Sequence, residues 1–169
     1  YSDVFLEILE KEGKKKKKID DGVYRVATRL LTRREFTRKK IKETLLSKGF
    51  ETPDVDNVIE ELEISGLLSE KRYVDGYIRS RRSRYGHLKI LYSLKKLGVI
   101  KSELSRARKI LMKDESDFAH TVWHRKFGNE AVNAVDIGKQ IRFLLGRGFA
   151  EDVARKIVFK KRSNFQNEK

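Results

Sequence analysis

Apolar residues recur every three to four positions along most of this chain, which is the spacing of a helix that buries one face. Val55, Val58 and Leu62 show the pattern clearly. Ile141 and Leu145 repeat it later in the chain, and both are expected to face the core. The spacing predicts a short helix within residues 1–12 and nine more at about 23–33, 36–48, 53–65, 70–83, 86–97, 101–112, 115–127, 135–146 and 150–161.

Three of these helices end in the same way, with leucines followed by a glycine and a large apolar residue. The endings are Gly49-Phe50, Gly98-Val99 and Gly148-Phe149. The glycines are spaced by 49 and 50 residues. A glycine of left-handed conformation ends a helix without a steric penalty, and the next apolar residue then packs into the core. A period near fifty predicts copies of one supersecondary unit.

We therefore predict an all-α fold of three tandem three-helix repeats with a short N-terminal helix. The parts are 1–21 (N-terminal helix and Lys-rich loop), 22–66, 67–113 and 114–162 (three repeats), and 163–169 (tail). Thr52 is the expected N-cap of the helix at 53–65, with Pro53 as its first residue.

Composition narrows the class of protein. Hydrophobic residues make up 38% of the chain, which is enough for lean helical cores, and a single proline argues against a loop-rich β fold. The absence of cysteine excludes disulfides and thiolate metal sites. No apolar run approaches the roughly 20 residues that span a bilayer. With no signal peptide visible, we expect a cytoplasmic protein without membrane contact.

Charge is concentrated in the middle of the chain. The net charge is +15, and residues 67–113 carry +11 of it. Such a concentration is expected of a surface that meets a polyanion or an acidic protein groove, with a solvated helical surface as the alternative. Lys14–Lys18 are interpreted as an exposed loop, with phosphate contact or localisation as the alternative. Tyr85 and Tyr92 lie at helical spacing, which favours packing in the core over stacking on bases.

The sequence contains no clear pattern of catalytic or metal-binding residues. His120 and His124 lie four residues apart near Asp117, but a metal site needs three or four ligands and the HExxH order is missing. His87 has no carboxylate near it in sequence, and the acids within 51–63 are spread around a helix rather than converging on a metal. We predict no catalytic residues, no metal and no cofactor.

Three motifs resemble the RecX family of recombinase regulators. In the central motif, LSEKRYVDGYIRSRRSRYGHLKILYSLKKLGV, the matching residues are Glu70, Arg72, Tyr73, Tyr77, Arg79, Gly86, Lys89, Ile90, Leu94 and Gly98. The third repeat matches at Phe143, Leu144, Arg147, Gly148 and Phe149, and the first at Leu31, Arg33, Thr37, Leu45, Gly49 and Phe50. The resemblance covers about residues 25–160, although Lys40-Ile41 departs from the family's acidic-aliphatic pair.

The resemblance implies a non-enzymatic, monomeric modulator of the bacterial RecA recombinase, built as an elongated, curved array of repeats. Such proteins bind the RecA filament on single-stranded DNA. They inhibit its ATPase, strand-exchange and coprotease activities, and so modulate recombinational DNA repair and the SOS response. The alternative is a direct nucleic-acid-binding helical protein that acts without a recombinase.

Candidate binding residues follow from how the charge is sorted among the helices. Residues 25–48 hold nine basic and two acidic side chains, whereas 51–63 hold six acidic and no basic ones. We expect a basic face that binds RecA or DNA. Its residues are Arg33, Arg34, Arg38, Lys39, Arg79, Arg81, Arg82, Arg84, Lys89 and Lys95, with Arg142 and Arg147 from the third repeat.

Overall fold

The computed structural model describes residues 21–128, 131 and 133–160, and every regular element within them is an α-helix. The helices are α1 (Asp21–Leu31), α2 (Arg38–Leu46), α3 (Thr52–Ile64), α4 (Glu70–Arg81), α5 (His87–Lys96), α6 (Lys101–Lys113), α7 (Glu115–Phe127), α8 (Ala134–Gly146) and α9 (Glu151–Lys160). The all-α prediction is confirmed over this part of the chain. The helix predicted within 1–12, the Lys14–Lys18 run and the tail at 163–169 lie outside the described residues.

Helix starts depend on local capping, which periodicity locates less well than helix faces. Thr37 and Asn133 cap α2 and α8, since their side chains accept hydrogen bonds from the backbone N–H groups of Lys40 at 3.1 Å and Asp136 at 2.9 Å. Thr52, the predicted N-cap of α3, is instead its first helical residue. The N-cap is Glu51, which has extended backbone, so the helix begins one residue earlier than predicted.

The three glycine endings adopt the predicted left-handed conformation. Their φ angles are +88° at Gly49, +79° at Gly98 and +85° at Gly148. Val99 and Phe149, which follow two of them, are buried, and Phe50 is partly buried against the core of its own unit. Sequence alone therefore located the points where the chain turns between these helices.

The chain divides into two compact units, with the boundary between Ser69 and Glu70. In the first unit, α1, α2 and α3 enclose one hydrophobic cluster that includes the fully buried Ile41, Leu45 and Ile59. Burying a side chain of this size contributes about 1.5–3 kcal/mol. The cluster is therefore a sufficient core for three short helices.

The second unit contains two hydrophobic clusters, one for each of its helix triplets. The cluster of α4–α6 centres on Val74, Ile90 and Leu94. The cluster of α7–α9 centres on Trp123 and Phe149. Helices thus group in threes around separate cores, and the limits assigned to the individual repeats stay a prediction.

The two triplets of the second unit meet at a close backbone contact, which we call the joint (Gly86, His87, Glu115 and Gly148). The Gly86 N–H donates to the Arg147 carbonyl at 3.0 Å, and the Leu88 N–H donates to the Gly148 carbonyl at 3.1 Å. A Cβ on Gly86 would lie 2.3 Å from the Gly148 carbonyl oxygen, so the two backbones touch here because neither residue has a side chain.

A buried polar pair reinforces the joint. His87 Nδ1 lies 2.7 Å from Glu115 Oε1, and the backbone N–H of His87 donates to the same oxygen at 3.2 Å. Both side chains are about 95% buried, with exposed fractions of 5% and 6%. Sequence offered no carboxylate for His87, because Glu115 is 28 residues away and reaches it only where the first residues of α5 and α7 meet in the folded unit.

Candidate interaction surface

Most of the candidate cations in the second unit cluster around the turn between α4 and α5. Arg79 and Arg81 lie in the last turn of α4, where positive charge interacts favourably with the helix dipole. Arg84 and Lys89 are exposed on either side of Gly86. The backbone turn at the joint therefore holds a set of cations in one region of the unit.

Aromatic rings lie beneath several of these cations. The guanidinium of Arg81 is 5.4 Å from the centre of the Tyr77 ring, and the Lys89 ammonium is 4.7 Å from that of Tyr85. Arg147 contacts two rings, at 5.7 Å from Tyr85 and 5.2 Å from Phe143. Such cation–π contacts contribute about 0.5–1 kcal/mol at exposed sites and restrict where each cation can point.

Two pockets open among these side chains. The first pocket has a volume of about 110 Å³. It is lined by Tyr77, Arg81, Tyr85, Lys89, Ile90 and Ser93. The second pocket has a volume of about 250 Å³. It is lined by Ser83, Arg84, Val122, Arg125, Lys126, Phe143 and Arg147. Arg147 links the two, because it lines the second pocket and lies over Tyr85 of the first.

Arg125 and Lys126 were missed by sequence reasoning. They lie in the last turn of α7, about 40 residues after Arg84, and their segment carries little net charge. The signal available was two adjacent basic residues at a helix end, which is common. Only the packing of α7 beside the α4–α5 turn brings them to the same pocket as Arg84.

Arg82 has a different environment from its neighbours. Its side chain is only 23% exposed, its Nη2 lies 3.3 Å from Asp114 Oδ2, and its guanidinium lies 3.9 Å from the centre of the Phe118 ring. It therefore connects the α4–α5 turn to the start of α7. Arg82 also lies close to the core, since the Phe118 ring beneath it packs against the α7–α9 cluster.

Arg106 likewise serves the structure. Its Nη1 donates to Asp75 at 2.7 Å and its Nε donates to Glu103 at 2.8 Å. The pKa of Arg106 is raised above its ordinary value, first by the hydrogen bond to Glu103 and then by Asp75, against the opposing effect of burial. The guanidinium stays charged at any physiological pH and ties α4 to α6.

The four candidates of the first unit are partly engaged within that unit. Arg34 lies 4.6 Å over the Phe36 ring, and Arg38 forms an ion pair with Glu63 of the acidic helix α3. Lys39 Nζ is 3.9 Å from Glu43 Oε1, and Arg33 is exposed. Their role in binding stays a prediction. The sorting of charge by helix has a structural use, because the basic α2 pairs with the acidic α3.

The remaining candidates are exposed side chains. They are Arg79, Lys95 and Arg142, all in the second unit. Tyr92 is 59% exposed, so the expectation that it packs in the core is wrong, whereas Tyr85 is partly buried against the α4–α6 cluster. The Lys96 ammonium lies 4.8 Å from the centre of the Tyr92 ring.

Potential metal ligands do not converge in the part of the chain that the structure describes. No group of three or more His, Cys, Asp or Glu side chains there could hold a metal ion. The rings of His120 and His124 stack on each other at 6.1 Å on the exposed face of α7. Within the same residues, no helix combines the length and apolar character that crossing a membrane requires.

Several known proteins with similar sequences are named regulatory protein RecX. A family model of the RecX first three-helix domain matches residues 24–62. The regulatory protein RecX of Legionella pneumophila is 36% identical over 144 residues, covering 82% of this chain and 94% of that protein. The regulatory protein RecX of Herminiimonas arsenicoxydans is 33% identical over 138 residues, covering 82% and 91%.

Solved structures show the same fold. The crystal structure of RecX from Lactobacillus salivarius superposes with a TM-score of 0.72 at 22% identity, covering 82% of this chain and 94% of that one. A second crystal structure of a regulatory protein RecX gives a TM-score of 0.68 at 18% identity, covering 80% and 70%. Sequence and fold agree, and the chain belongs to the RecX family of regulatory proteins.

Proposed function

We propose that this protein binds the RecA recombinase filament on single-stranded DNA and inhibits its ATPase, strand-exchange and coprotease activities. It thereby modulates recombinational DNA repair and the SOS response. It acts in the cytoplasm as a monomer and as a regulator without catalytic chemistry of its own. The observation that carries the proposal is its similarity, over about four fifths of the chain, to proteins named regulatory protein RecX.

The surface of the second unit supports this proposal. Arg81 lies over Tyr77, Arg147 lies over Tyr85, and Arg84 lines the second pocket beside Arg147. None of the three cations has a carboxylate partner among the described residues. Arginine presents a planar set of donors that matches carboxylates and phosphates equally well. Such a surface is suited to a filament that displays both protein carboxylates and a DNA backbone.

The proposal is tested by measuring the DNA-dependent ATPase of a bacterial RecA while this protein is titrated in. We expect inhibition at substoichiometric to equimolar ratios. Replacing Arg81 and Arg84 with Glu should raise the half-inhibitory concentration at least about tenfold, since one charged hydrogen bond contributes about 1.5–3 kcal/mol. The matched control replaces Arg108 and Lys109 with Glu on the exposed side of α6, and should change inhibition little.

The second candidate function is direct nucleic-acid binding without a recombinase, favoured by the mixture of cations and aromatic rings in the two pockets. Unchanged ATPase activity together with tight, salt-sensitive binding to DNA alone would reject recombinase inhibition and support this alternative.

A further inference from the structure

Large apolar side chains are exposed at the C-terminal end of α3. Ile64, the last residue of this helix, is 82% exposed, and Leu67 is 43% exposed. The three glycine endings described above each place an apolar residue against a core, whereas the turn at Gly66 is followed by Leu67 on the surface. The end of α3 therefore presents an apolar surface that the three helices of its own unit do not cover.

Acidic side chains border this apolar surface. Glu60 and Glu63 are exposed near the end of α3, which has no basic residue in its last turn. Negative charge is unfavourable there, because the helix dipole is negative at the C-terminal end. Glu63 pairs with Arg38, whereas Glu60 has no ion-pair partner within the described part of the chain. These residues, Glu60, Glu63, Ile64 and Leu67, form what we call the acidic tip, and helix stability does not explain its charge.

The second unit presents an apolar surface with the opposite charge on α5. Leu88, Tyr92 and Lys96 are spaced by four residues, so they lie on one face of the helix, which we call the α5 stripe. Leu88 is 53% exposed, and the Tyr92 ring is exposed beneath the Lys96 ammonium. Lys95 is exposed next to Lys96 in the same last turn. The helix dipole explains the two lysines but leaves the exposed leucine and tyrosine unexplained.

The acidic tip and the α5 stripe complement each other in composition and in sign. Each combines two exposed apolar side chains with neighbouring charges, which are negative on the tip and positive on the stripe. Every copy of the chain carries both surfaces, so a second copy supplies a partner of the required chemistry. A contact between two different surfaces does not close on itself, and it can therefore repeat along a row of copies.

We propose that neighbouring copies of this protein bind head to tail, with the acidic tip of one copy on the α5 stripe of the next. Ile64 packs on Tyr92, and Glu60 pairs with Lys96. Two apolar side chains from each copy make a contact far smaller than the roughly 1,200–2,000 Å² of stable complexes. Two copies with a net charge of +15 also repel each other. Dilute protein therefore stays monomeric, and the contact forms where copies are held side by side.

A filament would hold copies in this way, and this step rests on the proposed function. Copies at adjacent positions on a filament meet at an effective concentration of about 1 mM, as the parts of a linked pair do. The negative charge of the DNA offsets their mutual repulsion. A contact too weak for a dimer in solution then makes the binding of one copy favour the binding of the next.

The contact is tested by disulfide trapping of the full-length protein without RecA, since the chain contains no cysteine of its own. Ser65→Cys places a thiol within the acidic tip, and Lys95→Cys places one beside the α5 stripe. The two variants carry different tags and are mixed at about 1 mM under mild oxidation. The mixed disulfide should form at least about fivefold faster than either homodimeric disulfide, because thiols in a specific contact meet more often than by random collision.

The charge-matched control mixes the Ser65→Cys protein with Arg108→Cys, a variant that loses one positive charge on the exposed side of α6. Its mixed disulfide should form no faster than the homodimeric ones.

The apolar part of the contact is tested by adding Ile64→Ser to the Ser65→Cys protein. Mixed trapping should slow about threefold or more, because a large apolar side chain no longer leaves water. The matched control is Val135→Ser, since Val135 is also an exposed aliphatic residue but lies on α8, and it should leave trapping unchanged.

The charged part is tested by exchanging the signs of one pair. Glu60→Lys in the Ser65→Cys protein should slow mixed trapping about threefold, the amount expected of an exposed ion pair. Lys96→Glu in the Lys95→Cys protein should restore the rate, because the two charges are again opposite. Restoration in trans separates the pairing of these residues from any general effect of net charge.

The consequence for regulation is tested by the shape of the RecA inhibition curve. The original protein should inhibit the DNA-dependent ATPase along a sigmoidal titration, and Ile64→Ser should lower the Hill coefficient toward one. Val135→Ser should leave the curve as it is. An identical Hill coefficient in all three proteins would reject cooperative binding on the filament.

Three results of the trapping assays would overturn the head-to-tail contact. Homodimeric disulfides that form as fast as the mixed one would mean random collision or a symmetric contact. A chain carrying both Ser65→Cys and Lys95→Cys that closes its own disulfide in dilute solution would mean that the two surfaces meet within one molecule. Equal effects of Ile64→Ser and Val135→Ser would mean general apolar adhesion. These assays omit RecA, so their failure is separate from the failure of ATPase inhibition.

Discussion

Gly148 is constrained in two independent ways. Its φ angle of +85° is a conformation that side chains disfavour, and a Cβ there would lie 2.4 Å from the Cβ of Lys89 and 2.7 Å from the Lys89 nitrogen. Gly49 has the same backbone conformation, at φ +88°, with open space around it. Gly146 has neither constraint, although it lies only two residues before Gly148. Comparing these three glycines therefore separates the effect of a left-handed backbone from the effect of steric crowding.

We expect the free energy of unfolding to follow that series. Gly146→Ala should be neutral or stabilising by up to about 1 kcal/mol, since alanine is the better helix former. Gly49→Ala should cost about 1–2 kcal/mol for the left-handed backbone alone. Gly148→Ala should cost more than Gly49→Ala, because Lys89 must also move. Urea denaturation followed by circular dichroism measures all three, and equal costs at positions 49 and 148 would contradict the close packing of the joint.

Glu115 Oε1 accepts a hydrogen bond from the backbone N–H of His87 and lies 2.7 Å from its Nδ1. Glu115→Ala should destabilise the protein by about 1–3 kcal/mol for each buried donor left without a partner. Glu115→Gln keeps an acceptor oxygen and should cost less. A double-mutant cycle with His87→Ala measures the coupling. Additive losses would show that the two side chains do not interact in solution.

At the scale of helices, the hydrophobic period placed all nine described elements to within about two residues, because each buries one face against two neighbours. The errors occur where neighbours are missing. Tyr92 and Leu145 have the correct helical spacing for the core but are 59% and 40% exposed. Periodicity identifies which residues share a face, whereas the width of the buried strip depends on which other helices pack there.

Arg82 and Arg84 lie in the same turn but should differ in their contribution to stability. Arg82→Gln should lower the unfolding temperature, since it removes the contacts with Asp114 and Phe118 that join the α4–α5 turn to α7. The expected cost is about 1–2 kcal/mol, which combines a partly exposed ion pair and a cation–π contact. Arg84→Gln should leave stability within about 0.5 kcal/mol.

Thermal unfolding of the two variants side by side checks this contrast, with RecA inhibition as the second measurement. Arg84→Gln should weaken inhibition without loss of stability. The same unfolding temperature for both variants would mean that Arg82 is only a surface charge.

At the scale of the molecule, the charge distribution along the sequence indicated the unit that contains the two pockets, but it included only some of the cations that line them. The +11 excess of residues 67–113 contains Arg81, Arg84 and Lys89, and all three line the pockets. Arg125 and Lys126 complete the second pocket from a distant segment, and no local count includes them. The separate count over residues 25–48 included Arg38, whose ion pair with Glu63 is visible only once α2 packs against α3. The charge distribution along a sequence predicts which region is basic, whereas the packing of the helices determines which cations line a given pocket.

Each compact unit has its own hydrophobic core, so the second unit should fold alone. The single tryptophan, Trp123, is buried in it and donates from Nε1 to Gln140 Oε1 at 2.7 Å. A fragment of residues 70–169 should therefore keep the native tryptophan fluorescence and a cooperative urea transition. In the full chain, fluorescence reports this unit alone while circular dichroism reports both. A fragment with the emission of unfolded protein would show that the second unit depends on the first.

The glycine endings look interchangeable in the sequence, yet their surroundings differ. Gly49 faces open space, whereas Gly148 lies against the backbone of the preceding repeat at Lys89. A consensus sequence averaged over the repeats would erase that difference. Engineers who extend this fold by adding copies must therefore design two kinds of unit: one that ends freely, and one whose ending is shaped to receive its neighbour.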